Sequence, residues 1–171
     1  MSLDPDLFSP AVLWISNILY LICLGLALWL APWREMLRAR LTHVFFGAAV
    51  ILMLLWQMEA QVQPGMSYHL LGLTAVTLIF GWAFALLAAS LALVGIQLNG
   101  GLAWDGLALN ALVSGVLPIT LTLALLILVR ALLPRQFFVY VLVNAFLAGG
   151  VVGAAMGYAA TALFALSGAS T

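Results

Sequence analysis

Charge is what this sequence has least of. Five basic and five acidic residues among 171 leave 6% charged, against 67% hydrophobic. A soluble domain carries about 25% charged residues, so the chain reads as an integral membrane protein. The alternating apolar and polar runs of a membrane barrel are missing too, and the expected fold class is all-α. Formal net charge is zero; nucleic acid is therefore not an expected partner, and the lipid bilayer is. The single cysteine, Cys23, cannot form an internal disulfide, and within an apolar run it reads as a small buried residue. The N-terminus is acidic (Asp4, Asp6) rather than basic, so the first apolar run reads as a retained span and not a cleaved signal. No nucleotide-binding loop of the Gly-x-x-x-x-Gly-Lys-Ser/Thr kind occurs, which excludes a motor within this chain.

What is present is a series of long apolar runs, each fit to cross a hydrocarbon layer of ~30 Å at ~20 residues per helix. Residues 11–31 form the first expected span, ended by Pro32, with Trp33 at interfacial depth. Arg34, Glu35, Arg38 and Arg40 follow, and the positive-inside rule places them in the cytoplasm, with the N-terminus outside. Residues 42–58 run back out, with His43 at the cytoplasmic end reading as an interfacial side chain. Counting 70–96 and 106–129 as one span each would put Arg130 and Arg135 outside, against the rule. The expected repair splits 69–96 near Gly81-Trp82 into a hairpin of two short helices, shielded by neighbouring helices; one long tilted helix is the alternative. The loop 97–105 (Gln97, Asn99, Gly100-Gly101, Asp105) then lies outside, with Trp104 at the membrane surface. Asn110 and Ser114 share a helix face, and Pro118 predicts a kink. In the last span, 137–166, Gly149, Gly153 and Gly157 recur every fourth residue, a stripe for close helix contact, and Asn144 reads as an interhelical hydrogen bond. The expected architecture is one transmembrane domain, 1–171, of about six helices.

One stretch organises the rest. A polar loop with Gln61, Gln63, Pro64 and Gly65 leads into His69, where an apolar helix is expected to begin at once. Histidine is costly in a membrane and usually has a task there. Glu59 precedes the loop, so a carboxylate and an imidazole flank one turn. A neutral imidazole suits nickel, cobalt, copper or zinc. Candidate partners for His69 are the N-terminal amine (of Met1, or of Ser2 once Met1 is removed), Asp4, Asp6, Glu59, Met58 and Met66, the thioethers favouring Cu(I). A histidine bonded to Glu59 or to a backbone carbonyl, merely holding the loop, is the structural alternative. Asn110 is a candidate organiser of the outer loops, or a plain helix contact.

The order of features resembles the membrane substrate-capture subunits of cobalt and nickel energy-coupling-factor transporters, the CbiM/NikM family. Phe8-Ser9-Pro10 before the first span, Pro64…His69 with Leu71-Gly72 and Phe80-Gly81, Gly100-Gly101…Asn110, and the arginine-ended helix 111–130 carry the resemblance. It implies a subunit that captures a divalent ion outside, while a transmembrane coupling subunit and cytoplasmic ATPases drive release in a bacterial inner membrane. In the family, the N-terminal amine, the amide and imidazole of a histidine at position two, and the loop histidine hold the ion. His69 matches the loop histidine; position two is Ser2. With that imidazole missing, metal binding is expected to be weak or altered.

Three functions follow for comparison. The first is substrate capture for an energy-coupled uptake system. The second is a structural or assembly subunit that has lost the metal site. The third, an intramembrane enzyme, lacks paired histidines, a Ser/His couple within the spans, or a second carboxylate beside Glu59; the expectation is no enzyme and no intrinsic cofactor.

Overall fold

The computed structural model describes residues 2–3, 6, 8–57, 59–63, 66–69, 72–100, 104–132 and 148–167. Met1, Asp4, Met58, Pro64, Gly65, Gly101, Arg135, Asn144 and the tail beyond 167 lie outside the described residues. The chain is an all-α membrane protein with a small sheet at one end. Its elements are β1 (Ser2–Leu3), α1 (Pro10–Leu30), α2 (Trp33–Arg38), α3 (Thr42–Gln57), β2 (Glu59–Gln63), β3 (Met66–His69), α4 (Leu73–Leu98), α5 (Leu107–Ala111), α6 (Leu117–Leu132) and α7 (Ala148–Ser167). A 3-10 turn, Trp104–Gly106, leads into α5, and a π-helical turn, Leu112–Val116, joins α5 to α6. Among the described residues, three helical runs are long and apolar enough to cross a membrane: Pro10–Leu30, Leu73–Leu98 and Trp104–Ala131; α3 is shorter.

Local chemistry sets the boundaries. Pro10 opens α1 at a position where a missing N–H costs nothing. Pro32 prevents α1 from continuing, and Ala31 before it turns extended. Helix α2 ends with Arg40 in the left-handed region at φ 53, where Leu41 N–H reaches back to Met36 O (3.1 Å) and Arg40 N–H to Leu37 O (3.2 Å). Pro118 has no N–H to offer Ser114 and its ring crowds that carbonyl. The helix accommodates it with the π turn just upstream, in which Leu117 N–H bonds Leu112 O. Several buried hydroxyls bond the preceding turn, as Thr77 does to Leu73 O (2.8 Å) and Thr122 to Pro118 O (2.7 Å).

Helix α4 decides the topology. Gly81 interrupts it at φ 79, ψ 177, a region essentially reserved for glycine. Gly72, before the break, sits against Leu52 and Leu55 of α3; Gly95, after it, sits against Met53. Both ends of α4 therefore lie at one level of α3. Phe80 and Phe84, on either side of Gly81, meet Phe45 near the other end of α3, at 6.0 and 5.6 Å between ring centroids. The element is a hairpin, and a single tilted helix is excluded. The turn is shielded by Phe45 and by α6, where Trp82 Nε1 donates to Thr120 Oγ1 at 3.3 Å. Among the described residues the apolar helices thus make six segments: α1, α3, the two arms of α4, the α5–α6 run and α7.

The hairpin sorts the two ends of the bundle. Trp33 packs edge-on against Phe84 at 5.2 Å, so Arg34, Arg38 and Arg40 share an end with the turn at Gly81. Thr120 lies beside Trp82, and Arg130 lies further along α6 on the same side. Asp105 lines a surface hollow with Pro10 and Leu13, at the opposite end. Trp14 and Trp104 are exposed toward that end and Trp29 toward the arginines, an arrangement suited to two interfacial belts. His43 is exposed at the arginine end, at the start of α3.

Most of α1 faces outward; Ser16, Tyr20 and Ala27 are its buried residues, and Tyr20 Oη donates to Ser90 Oγ at 2.8 Å. A second, smaller core joins Phe8, Leu109 and Val113 to Val152 and Met156 of α7. Gly149, Gly153 and Gly157 flank that packed face half-buried, and a Cβ at Gly149 would meet nothing within 4 Å. At Gly95 a Cβ would fall 2.6 Å from Met53 Sδ. Gly95→Ala is expected to destabilise the chain by up to about 1 kcal/mol, the crowding of Met53 being partly offset by helix propensity, and Met53→Ala in the same chain should recover part of it. Additive losses in a double-mutant cycle of unfolding midpoints would refute that contact.

Candidate functional site

The polar segments flanking His69 form strands where a loop was expected. Backbone groups near the membrane surface need partners, and a ladder supplies them. The sheet order is β1-β3-β2, all antiparallel. Ser2 stands opposite Ser67 and Leu3 opposite Met66. In the other ladder, Glu59 pairs with His69, Ala60 with Tyr68 and Gln61 with Ser67, and a bulge then sets Gln63 against Met66. Helix α4 starts at Leu73 rather than directly after His69.

Four sequence-level candidates are thereby placed in one small sheet. Ser2 lies in β1, Glu59 opens β2, and Met66 and His69 begin and end β3. Residue 2 and residue 69 are far apart in sequence, yet Ser2 pairs two residues from His69 along one strand. Asp6 is exposed. Among the described residues no group of three His, Cys, Asp or Glu side chains gathers as a ready metal cage.

The fifth candidate, Asn110, sits lower. It is 1% exposed in α5, and α5 touches β1. Its carbonyl accepts the Ser114 hydroxyl. Gln97, expected in the outer loop, is instead buried in the last turn of α4. The apolar run simply continues through it, because neighbouring helices enclose that end of the hairpin. Thr74, in the first turn of α4, is also buried, and its hydroxyl finds no hydrogen-bond partner among the described residues. Sequence reasoning passed over Thr74; its signal was a hydroxyl five residues after His69, inside a helix start. Thr74 and Gln97 at the two ends of α4 and Asn110 in α5 are thus buried neutral polar side chains, which introduce no charge into the membrane.

The ladders thus hold the backbone of residues 2, 59, 66 and 69 in one small sheet at one end of a helical bundle. A model of a family described as CbiM, cobalt uptake substrate-specific transmembrane region, matches residues 3–171. No curated protein and no solved structure matches the chain.

Proposed function

Since the chain belongs to the CbiM family, cobalt uptake substrate-specific transmembrane region, we propose that it is the substrate-capture subunit of an energy-coupling-factor type uptake transporter for a transition-metal ion. The observation that carries this reading is the pairing of Ser2–Leu3 with Met66–His69, which brings the N-terminal strand and the histidine strand into one sheet. His69 supplies an imidazole ligand. Glu59, its cross-strand partner, supplies a carboxylate or fixes the imidazole; the N-terminal amine completes the donor set, Met66 falls on the opposite face of β3 by strand alternation, and Asn110 braces the layer below. The ion, cobalt, nickel or copper, is cargo. A transmembrane coupling subunit and cytoplasmic ATPases release it, because this chain has no nucleotide-binding loop. It performs no chemistry on its cargo.

Elemental analysis of the purified full chain tests this reading. One transition-metal ion per chain is expected, with at least about tenfold weaker retention in His69→Ala. Retention should fall on acidification, since a protonated imidazole cannot ligate. Tight nickel or cobalt binding that survives His69→Ala would overturn the assignment. Ser2, standing where the family's histidine is missing, favours a second reading, a structural or assembly subunit. No metal retention, together with stable association in a larger membrane complex, would support it.

In the bacterial inner membrane the arginine end faces the cytoplasm and the sheet faces outside. Asn99 is exposed at the far end of α4. A cysteine placed there, with Cys23→Ser, is expected to react with an impermeant thiol reagent added to intact cells. Labelling only after permeabilisation would reverse the orientation.

A further inference from the structure

Helices α1 and α3 both pack on α4 rather than on each other. Between them an outward-facing groove of about 480 Å³ is left, walled by Leu24, Leu28, Phe46 and Leu91, with Tyr20 and Ser90 in its lining. The two hydroxyls are spoken for: Tyr20 donates to Ser90, and Ser90 donates to Leu86 O at 2.7 Å. The groove thus offers a guest only apolar contact. Trp33 lines one end and also lines a second hollow of about 430 Å³ with Ala31, Pro32, Arg34 and Glu35. Arg34, Arg38 and Arg40 are exposed around that corner against the single acid Glu35, an excess of two positive charges. From Leu28 to Tyr20 the groove follows α1 for about 12 Å at 1.5 Å per residue. Half of a ~30 Å hydrocarbon core is ~15 Å, so the stretch along α1 matches one leaflet's acyl chain.

We propose that this groove is a binding site for an anionic phospholipid, with one acyl chain along Leu28, Leu24 and Leu91 and the phosphate at Arg34. An apolar slot of single-leaflet length that opens beside a cationic corner matches a molecule with an apolar chain and an anionic head. A zwitterionic lipid fills the slot equally well but gains less at the corner. The site is at the arginine end, away from the sheet, and does not depend on which ion the sheet holds.

Native mass spectrometry of the purified full chain, in detergent supplemented with phosphatidylglycerol or phosphatidylcholine of identical chains, tests the proposal. One retained phosphatidylglycerol is expected, bound about fivefold more tightly than phosphatidylcholine, the gain typical of one basic residue at an anionic lipid surface. Arg34→Gln should erase that preference. Leu91 is 45% exposed, and Leu91→Trp should fill the groove and lower retention of both lipids at an unchanged unfolding midpoint. Equal binding of the two lipids by the natural chain would overturn the proposal. So would phosphatidylglycerol retention unaffected by Leu91→Trp, or a dimer that this variant dissociates, which would mean a second copy occupies the groove. Should Leu91→Trp fail to fold, Arg34→Gln decides alone: an undiminished preference for phosphatidylglycerol refutes the site.

Discussion

Ser2→His is expected to raise nickel and cobalt affinity by about a hundredfold. Position two lies in β1, opposite Ser67 in a ladder whose strand ends at His69. An imidazole introduced there joins the strand pair that already carries the other histidine, and no backbone rearrangement is required to bring the two positions into one sheet. Changes in groups that only support a metal ligand shift affinity by about 10–100-fold, so an added nitrogen ligand should do at least as much. Nitrogen in place of oxygen also moves selectivity toward nickel, cobalt and copper. The gain should vanish when His69→Ala is added, because both imidazoles are needed to chelate. Titration of the purified chain with each metal, beside a Ser2→Ala control, measures it. An unchanged affinity in Ser2→His would mean that the sheet does not hold the ion, and the capture reading would have to be moved elsewhere in the bundle.

The second large effect is structural. Gly81→Ala should lower stability by about 2–3 kcal/mol, the upper range for a side chain forced into a glycine-only backbone region. A Cβ at Gly81 would touch nothing within 4 Å, so the loss comes from the φ of 79 and not from crowding. Gly25 and Gly47 give the contrast. Each sits within a helix, each has open space around it, and neither has a positive φ. Alanine at those sites should be neutral or stabilising by up to about 1 kcal/mol through helix propensity. Unfolding by a denaturing detergent, compared across the three variants, reads the sign directly. If Gly81→Ala behaves like Gly25→Ala, α4 tolerates a straight course and the hairpin is not required. A damaged hairpin should also impair the sheet, since α4 begins four residues after His69.

The sequence carries its own account of the helices. Apolar runs bounded by Pro10 and Pro32 place α1 as Pro10–Leu30, because the fixed ring of proline acts within a residue or two. Arginine at both ends of the count, together with one glycine before a tryptophan, was enough to expect the hairpin at Gly81. That inference works because charge cannot be left in hydrocarbon and only glycine turns the chain so sharply. Pro118 marked a helix distortion but not its form, since a proline fixes which hydrogen bond is lost and not how the turn before it rewinds.

The sheet and the burial of polar helix ends were decided by tertiary structure. Residues 59–69 read as loop because two runs of four and five residues around Pro64-Gly65 are too short and too polar to announce themselves as strands. Pairing Ser2 with Ser67 joins positions that no local pattern relates. Only the folded bundle brings them together, by seating α5 against β1 and α3 against β3. Burial of Gln97 and Thr74 follows the same rule. Whether a polar side chain at a helix end faces water or protein depends on which helices close over it, and that is a property of their packing, not of the residues beside it in the chain.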